Sequence, residues 1–270
     1  MYKLCDWVQL DKLNLRLLSY NPLAIWLYRL YPELVDWRWI SQNAGAMELI
    51  EQYPERIDWV LLSRNTSASS LLARNMELID WVYLCTNEGA ISIIEANLEN
   101  VLWDWLSCNP AAFHLLEKNR EKINWTFLSK NPSAVSLLEK HPELIDWYAF
   151  SANPGAVHIL VKYPDKINWH GLSANPSPEA VKLLEKYPEN IVWVVLSKNP
   201  SAGKLLQQNP EKINWANLSK NPCIFELDYD WLKRRCDIYR EELIKIAMHP
   251  SRIQRLLDQG IDAEFLDDYI

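Results

Sequence analysis

Glycine is scarce in this 270-residue chain: six are present, scattered, with no G-x-G-x-x-G and no P-loop spacing. A nucleotide-binding loop needs clustered glycines so that backbone amides can approach phosphate, and that reading has no foothold here. Cysteine is equally uninformative. Cys5, Cys85, Cys108, Cys223 and Cys236 are odd in number and lack C-x-x-C spacing, so neither a disulfide framework nor a zinc site is indicated. No H-E-x-x-H occurs, and no apolar run approaches the roughly 18 residues that cross a bilayer. The start, M-Y-K-L-C-D-W, has no signal-peptide core, so secretion is not expected and an intracellular chain is. Positive charge is also in deficit. With 28 Lys and Arg against 35 Asp and Glu the formal net charge is -7, a poor match to nucleic acid or to an anionic membrane. Neither is an expected partner, and no cofactor is indicated.

What the chain does have is tryptophan, fourteen of them, and nine share one position in a repeat. Trp37, Trp59, Trp81, Trp103, Trp125, Trp147 and Trp169 follow one another at steps of 22, then Trp193 at 24 and Trp215 at 22. A fixed period of this size is the mark of a repeat array in which each unit packs on its neighbours. The unit is clearest at residues 125–146, W-T-F-L-S-K-N-P-S-A-V-S-L-L-E-K-H-P-E-L-I-D.

Apolar spacing inside the unit is helical. Trp125 and Leu128 stand three apart, and Ala134, Leu137 and Leu138 stand three and four apart. Asp or Asn precedes most of the tryptophans, where its side chain caps a short first helix. Asn recurs in all ten units, from Asn21 to Asn221, and Asn-Pro predicts the start of a second helix because proline's missing amide costs nothing there. A later proline, such as Pro142, ends it. The spacing therefore predicts an all-α solenoid of short helical hairpins, with the tryptophan facing the core. The few apolar side chains of one unit cannot offset the entropy of ordering it, so stacking is obligatory. Ten units at packed-helix spacing predict a rod or arc of roughly 100 Å.

The expected organisation is an N-terminal cap over 1–14, ten hairpins over 15–227, and a C-terminal helical cap over 228–270 that covers the open end. Asn175–Ala180, N-P-S-P-E-A, carries two extra residues near 177–178 and predicts a local bulge. Between Trp59 and Asn124 the signals weaken: Thr66 and Glu88 replace the first proline, and Met76, Leu98 and Arg120 the second. That middle is expected to be looser. In the tail, Asp228 or Asp230 caps a long amphipathic helix, a second helix follows Pro250, Gly260 ends it, and a short helix surrounds Phe265. A leucine-rich repeat is the fold alternative, since L-S-x-N at this period imitates its asparagine ladder. The L-x-L alternation it requires is missing.

The pattern L-S-x-N-P-x-A-x-x-L-L-E-x-x-P-E-x-I-D-W, with the tail M-H-P-S-R-I-Q-R-L-L-D-Q-G-I, resembles a repeat family abundant in giant nucleocytoplasmic large DNA viruses. The match runs from about Leu15 to Leu227. The resemblance implies a viral protein of a large paralogous set, located in the host cytoplasm or the virion, with an interaction or structural role. It brings no catalytic residues.

Side chains that invite a catalytic reading have plainer ones. Serine follows the first helix in nine units (Ser129, for instance), and a residue repeated nine times is a turn and packing residue, not one activated nucleophile. Cys85 fills the same place and is expected to be small and buried. His114 and His158 share a position two units apart, too distant in a rod for one metal. Glu117, Glu139 and Glu185 precede lysines and describe a solvated face. Lys130, Lys198 and Lys220 share the sixth position of their units, but Ala152 and Ala174 interrupt the line.

One position remains. Two residues after the tryptophan stand Trp39, Leu61, Tyr83, Trp105 and Phe127, then Ala149, Gly171, Val195 and Asn217. Helical geometry places this position off the core direction, so the five large residues are candidates for a protein-binding groove or for the seam between units. A non-enzymatic scaffold for a host or viral protein is the expected function, with a virion spacer or cement component as the alternative.

Overall fold

The structure is a computed structural model, and it describes residues 2–259. It is all-α: helices and 3-10 turns carry the repeats, and the strands among the described residues are the three-residue pair Tyr2–Leu4 and Phe225–Leu227. A leucine-rich repeat needs a strand in every unit and is excluded. The chain divides into two units, Cys5–Phe225 and Met1–Leu4 with Glu226–Ile270.

Half of the repeats in Cys5–Phe225, those opening at Trp37, Trp81, Trp103, Trp125 and Trp193, have four short pieces, not two. After helix Trp125–Leu128 come the 3-10 turn Pro132–Ala134, helix Val135–Lys140 and a second 3-10 turn, Pro142–Leu144. Asn124 Oδ1 caps the first helix by accepting from Phe127 N at 3.2 Å, and Asn131 Oδ1 accepts from Ser133 N at 2.9 Å. Asn131 thus caps a 3-10 turn, and the second helix begins only after it. Pro142 does more than stop a helix, because it opens the next turn, where its missing amide is no loss.

The tryptophan is not the centre of the core. Trp125 is half-buried, whereas Leu128, Ala134 and Leu138 are wholly enclosed. The ring lies along the flank of its unit, edge-on to an aromatic residue of the following turn: Trp37 to Tyr53 at 5.2 Å and Trp125 to His141 at 5.9 Å. In other units a lysine covers it, Lys122 at 4.3 Å from Trp103 and Lys212 at 4.6 Å from Trp193. A helix of four residues directs only one side chain squarely inward, and leucine at the fourth position takes that place.

Buried polar side chains join the units. Asn131 Nδ2 donates to Ser107 O and to Asn109 O of the preceding unit, both at 3.0 Å. Ser129 Oγ donates to Trp125 O at 2.8 Å and accepts from Asp146 N at 3.0 Å. Such short helices leave many carbonyls and amides without helical partners, and these side chains satisfy them. Cys85 is buried as expected, and its Sγ takes over the serine's acceptor role toward Leu102 N at 3.4 Å.

The array closes on itself. Asn21 Nδ2 donates to Ser219 O at 3.3 Å and to Asn221 O at 2.8 Å, the same two acceptors that later asparagines such as Asn43 and Asn131 find one unit back. Asn14 N donates to Ser219 Oγ at 2.8 Å, as Asn124 N does to Ser107 Oγ, and Lys12 lies 5.1 Å from the Trp215 ring. The tenth unit is therefore built from both ends of this segment, with Trp215–Phe225 as its first half and residues 5–14 as its second. L-D-K-L-N at 10–14 is the counterpart of P-E-K-I-N at 210–214. The expected rod or arc is a closed ring in Cys5–Phe225, and residues 5–14, expected to belong to an N-terminal cap over 1–14, complete its tenth unit.

The irregular stretches do not interrupt the ring. At the insertion Ser177 becomes a cap, its Oγ accepting from Glu179 N at 3.1 Å, and the second helix runs unbroken over Pro178–Lys186. Asn199 still reaches Ser173 O at 3.1 Å. In the middle, Asn65, Asn87 and Asn109 each donate at 2.9 Å to the preceding unit, so the ladder holds where the prolines are missing.

In the other unit Lys3 pairs with Glu226 at 3.1 Å. Asp228 caps the 19-residue helix Tyr229–Ala247 by accepting from Trp231 N, and Pro250–Asp258 follows under a His249 cap. The expected Gly260 terminus and the helix around Phe265 lie outside the described residues.

Candidate binding lumen

Ring closure gives Cys5–Phe225 an inner surface, and the second, third and sixth positions of the repeat supply it. A cavity of about 570 Å³ is lined on one arc by Tyr20, Arg38, Trp39, Gln42, Leu61, Arg64 and Tyr83. Ala174, Lys198 and Lys220 line it from the other arc. Next to it, a cavity of about 490 Å³ is lined by Tyr83, Trp105 and Phe127 together with Arg64, Val82, Thr86, Cys108 and Lys130.

All five candidate residues of the sequence reading line these two spaces. Leu61 is buried, at 8% exposure; Trp39, Tyr83 and Phe127 are half-buried; Trp105 keeps 38% of its surface open. Trp105 and Phe127, from neighbouring units, meet tilted at 52° with centroids 4.9 Å apart, and Trp39 meets Tyr20 edge-on at 6.1 Å. The rings thus touch one another between units and also line the two spaces. Across the ring the same position is small. A Cβ added to Gly171 would fall 2.7 Å from Tyr148 O, so the first helices approach too closely there for anything larger.

The sixth position is what sequence reasoning missed. Its lysines are interrupted by Ala152 and Ala174 along the chain, but closure brings Lys198 and Lys220 opposite Arg64 around one cavity. A signal was present: none of the ten units has Asp or Glu at this position. Among the described residues, no ion pair involves Arg38, Arg64, Lys130, Lys198 or Lys220. Lys220 lies 5.3 Å from the Trp39 ring and 5.8 Å from Tyr20, and Arg38 lies 5.7 Å from Trp39. These cations are held by ring faces and keep their charge unneutralised.

Burial pushes the Cys108 thiol up, against the opposing pull of Lys130 and Arg64, so it is not poised as a thiolate. The serine hydroxyls are engaged in the ladder, as at Ser129 and Ser197. Among the described residues no three His, Cys, Asp or Glu side chains converge as metal ligands, and no helix is long and apolar enough to cross a membrane. No protein-family model matches the chain, and comparison with curated proteins and with solved structures finds no match.

Proposed function

We propose that the protein is a non-enzymatic binding ring that captures a protein partner through the aromatic arc of its lumen. The observation that carries this reading is the tilted pair Trp105 and Phe127, which line one concave space while Trp105 stays 38% open. Aromatic anchors in concave, partly desolvated surroundings commonly dominate interface energy, at about 2 kcal/mol or more each. A spacer role would draw on the length of an open array, and closure removes that length, so the binding reading is preferred to the virion-spacer one. A viral source, with a host or viral partner, is proposed from the resemblance of the repeat alone.

Trp105→Ala and Trp39→Ala test it, each measured for denaturant stability and for partner capture by pull-down with mass spectrometry. Retained stability with lost capture is the expected result. A stability loss of about 3 kcal/mol in both variants would assign these rings to inter-unit packing and remove the site.

A further inference from the structure

We propose that the larger lumen cavity is a binding site for a compact polyphosphate-bearing anion, held by Arg38 and Arg64 from one arc and Lys198 and Lys220 from the other. This goes beyond partner capture and does not depend on it. Four cations line one space of about 570 Å³, and no carboxylate lines it with them. In a chain whose acidic residues outnumber its basic ones, such segregation concentrates positive potential where low-dielectric walls focus it. Like charges facing one another across a cavity repel, and a multivalent anion relieves that repulsion by bridging the walls.

Two further features fit a ligand rich in acceptors. The Trp39 and Tyr20 rings already hold Lys220, and Trp39 holds Arg38, so these cations are oriented before anything binds. Gln42, which lines the same cavity, has its Nε2 donor buried without a hydrogen-bond partner. Charge density decides between phosphate and carboxylate. A phosphoryl group carries about 1.5 to 2 negative charges and three acceptor oxygens, so two or three match four cations within a cavity of small-ligand size. A peptide needs four acidic side chains and their backbone for the same charge.

Calorimetric titration of the full chain with inorganic tripolyphosphate at low salt tests the assignment. Inorganic phosphate and a hexaglutamate peptide serve as comparators. Micromolar binding is expected, with an accompanying rise in melting temperature. Inorganic phosphate should bind at least about tenfold more weakly, and affinity should fall as salt rises. Arg64→Glu and Lys198→Glu, exposed residues whose variants should melt like the parent, should each weaken binding by about tenfold or more. Lys204→Glu, on a second helix outside the cavity lining, should not change it. No binding at about 1 mM tripolyphosphate would overturn the proposal, since that ceiling corresponds to negligible affinity. Unchanged affinity in both lumen variants, or hexaglutamate binding as tightly as tripolyphosphate, would overturn it equally.

Discussion

Asn21 Nδ2 donates to Asn221 O at 2.8 Å across 200 residues of chain, with the partners and geometry by which Asn131 reaches Asn109 in the unit before it. Asn21→Asp isolates this contact. The aspartate keeps the local cap to Leu23 N, now at 3.1 Å, but turns an acceptor toward two carbonyls. A buried group left unsatisfied costs about 1–3 kcal/mol, and more when charged. Asn21→Asp and Asn131→Asp are therefore both expected to lose about 3 kcal/mol or more in urea melts. An open array would make the substitution in its first unit much the milder of the two.

The period, the helical class and the prolines' placement were legible because they repeat and because each rests on local chemistry. Closure was not, since residues 10–14 carry the turn, the buried Leu13 and the capping Asn14 without the proline or tryptophan that mark the motif elsewhere. Local pattern is also silent on curvature, which arises from how closely neighbouring first helices approach. The aromatic arc was visible as a run of large residues. The cationic side of the site was not, because Arg64 and Lys198 face each other only in a closed ring.

Leu128→Ala should cost about 2–5 kcal/mol, because the side chain is wholly enclosed and the helix around it has no slack to fill the void. Trp125→Ala should cost less, on the order of 1–2 kcal/mol, since the ring is half-exposed and its removal opens a surface groove instead of a cavity. Equilibrium denaturation of the two variants checks the order. A larger loss for Trp125→Ala would restore the tryptophan to the core.

Among the described glycines, Gly89 sits closest to the turn of a neighbouring unit. A Cβ there would lie 2.0 Å from Thr66 O, a backbone atom, whereas at Gly155 the nearest obstacle is Val135 Cγ2 at 2.9 Å, the tip of a side chain. Gly89→Ala must push two turns apart and should cost about 2 kcal/mol or more, while Gly155→Ala should fall within about 1 kcal/mol of the parent. Thermal melts of the pair report the difference. Equal effects would mean that the turns slide freely past one another.

Alkaline pH should loosen the ring near its closure. Burial pushes the Cys223 thiol up to about 12, with Cys5 adding to the shift. Burial also raises the Tyr28 hydroxyl to about 12; a hydrogen bond with Ser19 opposes the shift, and Asp36 reinforces it. Unfolded, these groups titrate near 9 and 10, the ordinary values. Between those values and about 12 the folded protein keeps protons that the unfolded chain has released, so unfolding free energy falls as pH rises. The stabilisation is complete below pH 9 and is lost on the way to pH 12. Melting temperature should therefore be level from about pH 7 to 8.5 and decline above it. Cys223→Ala should flatten the first part of that decline, near pH 9 to 10, and Tyr28→Phe the part above pH 10. At about pH 8 a thiol alkylating agent should label the exposed Cys236 well before Cys223. If Cys223 reacted as fast as Cys236 in the folded protein, Cys223 would not be shielded beside the buried Cys5 and the closure drawn from their neighbours would fail.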